Sequence, residues 1–162
     1  MENEMNSIPK LNFVESVAYL LRETFEGSPE GQPSAFLDRG VGVFNTLNEI
    51  NAERASMKIG GTSIAALTEH AKFYLDRLSE FMAGRIERVN WEDSWLIETV
   101  NDEEWDALRS KVRESYENAL RSYASTDDWT ERHVGEAIAM VAHTAYHLGA
   151  IRQLAKMARE NN

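Results

Sequence analysis

Apolar residues recur at threes and fours along most of this chain, and the stretches that break the rhythm are short. Leu11, Val14, Val17, Leu21 and Phe25 form the first such stripe, which predicts an amphipathic helix. Pro9 suits its first turn and Gly27 its end. Residues 27–34, GSPEGQPS, read as a loop. Leu37, Val41, Phe44, Leu47 and Ile50 predict a second helix, which Gly40 and Gly42 weaken by about 1 kcal/mol each. Residues 51–61 read as a connector. Thr62 or Ser63 can cap a third stripe of Leu67, Ala71, Tyr74, Leu78 and Phe81, running to about Ala83 and stopped by Gly84. Residues 84–100 carry Trp91 and Trp95 without a clear period. Asn101 and Glu104 then have capping-box spacing, followed by Trp105, Leu108, Val112, Tyr116, Ala119 and Tyr123. A turn at 125–128 leads into a last helix over about 132–159, with Lys156 and Arg159 suited to its C-terminal dipole.

The pattern has helical periods throughout and no strand alternation, so the expected fold is all-α. Long helices with mostly short connections predict an antiparallel four-helix bundle with an extra short helix after the first. Residues 9–160 make one domain and 1–8 a flexible N-terminus. Within the last helix, residues 137–151 contain no Asp, Glu, Lys or Arg, although charged residues make up 27% of the chain. Apolar residues lie on nearly all sides of that run, which predicts burial all round. It is too short and too polar to span a bilayer, which takes about 20 apolar residues.

Composition narrows the choices. The chain has 162 residues, enough for a sizeable core, and a net charge of −10. An acidic balance argues against nucleic acid or an anionic membrane as partner. There is no cysteine, which excludes disulfides, thiolate metal sites and a cysteine nucleophile. The polar, acidic start MENEMNSIPK is no secretory signal, so the expected location is the cytoplasm.

The chemistry lies in the histidines. His143 and His147 are four apart in the uncharged run and share one helix face. Buried imidazoles need partners, either hydrogen bonds or a metal ion. His70 lies on the apolar face of another helix. Three neutral imidazoles would leave coordination positions open, as catalytic rather than structural zinc sites do. Imidazole also suits nickel, iron and copper, so the donors do not identify the metal. His133 lies about three turns before His143 and reads as a helix-start residue. A zinc protease H-E-x-x-H motif would need Glu where Thr144 stands. Tyr74, one turn after His70, either lines the site or, more commonly, packs in the core. Met140 and Tyr146 are further candidates for pocket lining. Trp91 and Trp95 read as a lid or, more commonly, as anchors that pin a loop.

Three stretches, RETFEGSPEG, TSIAALTEHAKFYLDRL and HTAYHLGAIRQL, together resemble the DinB-like (DinB/YfiT) metalloenzyme family over about residues 11–158. The last resembles that family's H-x-x-Y-H-x-G-Q-I ending, with Ala150 standing where many members have Gln. The resemblance implies a four-helix bundle, a homodimer, and a divalent ion (zinc, nickel, iron or manganese) held by His70, His143 and His147. It also implies a thiol-dependent S-transferase that joins a low-molecular-weight thiol to a small electrophile. A hydrolase using activated water and a non-catalytic metal-binding stress-response or interaction domain are the alternative expectations.

Overall fold

Each long stripe becomes a helix in the structure, a computed structural model that describes residues 9–160. The expected flexibility of residues 1–8 lies outside the described residues. The elements are α1 (Lys10–Glu26), α2 (Val43–Asn48), α3 (Ala52–Ser56), α4 (Ile64–Met82), a 3-10 segment (Trp91–Trp95), α5 (Asp102–Ser125) and α6 (Glu131–Glu160). No strand occurs among the described residues; one isolated bridge joins Ile59 and Thr62. No helix among them is long and apolar enough to cross a membrane.

Local chemistry sets the helix ends. Of the two candidate caps for α4, Ser63 does the work: its hydroxyl accepts from the Ala66 N–H at 3.1 Å. The capping box at α5 is complete, with Asn101 and Glu104 each accepting the other's backbone N–H. α1 stops at Gly27, whose φ of 84° favours glycine and whose N–H bonds Glu23 O.

Two expectations about the connections need correction. The second stripe forms a helix only over Val43–Asn48. Gly42 is extended, and a Cβ there would lie 2.6 Å from Gly27 N and 2.8 Å from Phe25 O. The glycine thus serves close packing of the 27–42 loop against the end of α1. The connector after it holds a second short helix, α3, capped by Asn51. Two short helices therefore follow α1, where one was expected.

Buried polar contacts tie the loops to the long helices. Glu23 is 1% exposed, and its carboxylate accepts the N–H groups of Ala35, Phe36 and Leu37 at 2.7, 3.0 and 2.8 Å. Trp105 packs in the core while its indole N–H donates to Ile50 O at 2.7 Å.

α4 packs against α5 and α6, and α1 against the same two helices. The shared core includes Leu21, Phe25, Leu75, Trp105, Tyr116, Leu148 and Ile151. The uncharged run of α6 is not buried all round, contrary to expectation. Met140, Thr144, His147, Leu148 and Ile151 face inward, while Ile138, Ala142, Tyr146 and Gly149 are exposed. Their spacing of four, four and three marks one continuous open face. Lack of charge reports on this helix's composition, and only part of its circumference has neighbours to pack against.

Candidate metal centre

α4 and α6 bring the three histidines together. The ring of His70 lies 5.1 Å from that of His143 and 4.7 Å from that of His147, and the last two are 4.4 Å apart. One nitrogen from each ring can be chosen so that all three lie within 4.8 Å of one another. The capped start of α4 sets the turn on which His70 stands. The i, i+4 spacing on α6 puts the other two rings on a common face. No carboxylate joins the group among the described residues. His133 stands apart at the start of α6, where its Nδ1 accepts the Thr130 N–H at 3.1 Å.

The electrostatics favour ligand-ready rings. Burial pushes the His143 imidazole down to about 4, aided by the nearness of His147 and His70. Burial and His70 do the same for His147, also to about 4. Burial lowers His70 as well. All three are therefore neutral at pH 7, the protonation state in which imidazole binds metal. His143 Nε2 and His147 Nδ1 are shut off from solvent and have no hydrogen-bond partner. Leaving a buried polar group unpaired costs about 1–3 kcal/mol. A cation coordinated by the cluster answers both the neutrality and the missing partners, so the residues present fit a divalent ion. Bonds of about 2.1 Å in tetrahedral geometry bring such nitrogens to about 3.4 Å apart. With ligand atoms up to 4.8 Å apart, the rings would draw closer around a bound ion.

Aromatic rings surround the cluster. Tyr74 stacks on His143 with centroids 3.6 Å apart, and Trp95 stacks on His70 at 4.0 Å. Trp91 lies 5.2 Å from Tyr74 and also touches Phe73 and Phe81. The two tryptophans thus pin their loop to α4, and Trp95 also covers one face of His70. Tyr146 lies 5.0 Å from His147 and is largely exposed, whereas Met140 is enclosed in the core one turn before His143. Thr144 is buried at the position where a zinc protease would carry Glu.

Sequence reasoning passed over Ser94. Its hydroxyl lies 2.8 Å from His70 Nδ1. The only local hint was Asn90, a capping residue type before Trp91, and nothing in the spacing linked that turn to His70. The open clefts of the surface lie elsewhere; one of about 660 Å³ between α4 and α5 is lined by Lys72, Arg77 and Glu114 among others. Its cations and carboxylates pair with one another, as in Lys72–Asp76 and Arg77–Glu80, whereas the three histidines converge. Comparison of the chain with protein-family models, with curated proteins and with solved structures finds no match.

Proposed function

We propose that this protein is a divalent-metal-dependent enzyme of the DinB-like kind, joining a low-molecular-weight thiol to a small electrophile. The observation that carries the reading is the convergence of three neutral imidazoles, two of them with buried, unpartnered nitrogens. The ring of contacts α1–α6–α4–α5 supports an antiparallel four-helix bundle of the DinB-like type. The uncharged open face of α6 supports a homodimer, and dependence on a cellular thiol fits the cytoplasm.

A divalent ion bound by the cluster supplies Lewis acidity, which lowers the pKa of a thiol and makes thiolate available near neutral pH. The chain's own residues do the rest. His70, His143 and His147 would hold the ion through neutral nitrogens. Tyr74 fixes the plane of His143 by stacking on it. Trp91, Trp95 and Tyr146 offer exposed aromatic surface beside the cluster, which suits an apolar electrophile and displaces water from it.

Elemental analysis of the purified protein, followed by a thiol–electrophile conjugation screen, tests the proposal. Near-stoichiometric metal and thiol-dependent turnover are expected, both lost in His147→Ala. Full turnover in a metal-free His147→Ala protein would overturn it. Turnover that ignores the thiol would shift the reading to a hydrolase, and bound metal without any turnover to a binding domain.

A further inference from the structure

Ser94 is fully buried, although it stands between two exposed tryptophans in the 3-10 segment. Its hydroxyl lies 2.6 Å from Trp91 O, a carbonyl that can only accept. A serine hydroxyl has a single proton to donate. With that proton committed to Trp91 O, the contact at 2.8 Å with His70 Nδ1 requires the imidazole to be the donor. We propose that Ser94 is the positioning residue of the metal centre: it holds His70 with the proton on Nδ1 and so presents a bare Nε2 to the ion.

The surroundings make this hold a firm one. Asn90 caps the 3-10 segment, accepting from Glu92 N–H and donating to the Asp93 carboxylate at 2.8 Å. Beyond the segment, Ser63 Oγ donates to Glu98 O at 2.6 Å and Ser56 bonds both backbone groups of Val100. The loop is thereby fixed to the end of α3 and to the N-terminal cap of α4, the helix that carries His70. Trp95 lies nearly parallel to the His70 ring, with 15° between the planes. An edge bond and a face contact together restrict both the tilt and the flip of the imidazole. His143 Nε2 and His147 Nδ1 have no such hydrogen bond. One ligand is thus held at edge and face by a separate element, whereas His143 has only the face contact with Tyr74. Metal-binding histidines generally depend on a partner at the second nitrogen, and losing that partner costs about 10–100-fold in affinity.

The role toward the ion rests on the metal reading above, but the tautomer does not, and the test separates them. In metal-free protein labelled with 15N-histidine, NMR is expected to show His70 protonated on Nδ1. Ser94→Ala is expected to lose that preference and to weaken zinc binding by about 10–100-fold. Ser79→Ala serves as the control: it removes a different buried hydroxyl, one on α4 bonded to Leu75 O at 2.9 Å, and is expected to leave zinc affinity unchanged. An Nε2-protonated His70 in the wild type, or unchanged zinc affinity in Ser94→Ala, would overturn the proposal. A wild type that takes up no zinc at all would overturn the metal reading and Ser94's role toward an ion with it. The tautomer spectrum would still decide whether Ser94 sets the ring.

Discussion

Glu23 and the α6 histidines are polar groups buried in the same small protein, and the chain treats them in opposite ways. The Glu23 carboxylate is sealed from water and receives three backbone N–H groups. Burial alone would raise its pKa, but those three donors outweigh it and hold the carboxyl below its ordinary range. His143 and His147 each keep a buried nitrogen with no partner. At Glu23 the fold supplies donors to both carboxylate oxygens. At the histidines it leaves nitrogens bare, which is what a metal ligand requires and a structural group avoids.

The largest effect expected from this contrast is stabilisation by metal. Zinc at about a thousand times its dissociation constant should stabilise the wild type by about 4 kcal/mol in chemical denaturation. His147→Ala should gain almost nothing under the same conditions, and equal gains would erase the difference between the two regions.

Glu23→Ala comes next. It strands three backbone donors and should cost about 3 kcal/mol or more, read from the denaturation midpoint. His147→Ala in metal-free protein removes a ring with an unpartnered nitrogen and should cost clearly less. The Glu23 contribution also has a pH signature. Its folded pKa is depressed, so its stabilisation is present above the unfolded carboxylate range and is lost as pH falls through the folded value. The gap between wild type and Glu23→Gln should therefore narrow in acid.

The histidines give a smaller effect at a different pH. With folded values of about 4 for His143 and His147 against an ordinary 6.5, the unfolded chain binds more protons between those limits. Metal-free protein should lose stability as pH drops from about 6.5 to about 4, on the order of 2 kcal/mol after solvent screening. Double replacement of His143 and His147 by Ala should flatten that part of the profile. The smallest effect lies outside both regions: Asn101→Ala should cost about 1 kcal/mol by opening the capping box.

Much of this was readable in the amino-acid order, for identifiable reasons. Local rules placed the long helices, because the spacing of Leu11 to Phe25 and of Trp105 to Tyr123 and the caps at Ser63 and Asn101 act over a few residues. The same i, i+4 logic paired His143 with His147. Long-range partners were not readable. Glu23 meets backbone groups of residues 35–37 across a loop, and Ser94 meets His70 across another. Neither contact leaves a periodic trace. The short helix α3 was missed because a five-residue segment shows too little pattern. The uncharged run of α6 misled because composition cannot say which side of a helix has neighbours.

The most direct measurement is an anomalous-difference map at the zinc edge, from crystals grown with the metal. The account predicts one peak per chain between His70, His143 and His147, about 2.0–2.1 Å from a nitrogen of each. Crystals that contain zinc but show no peak there, or show it only at surface carboxylates, would contradict it.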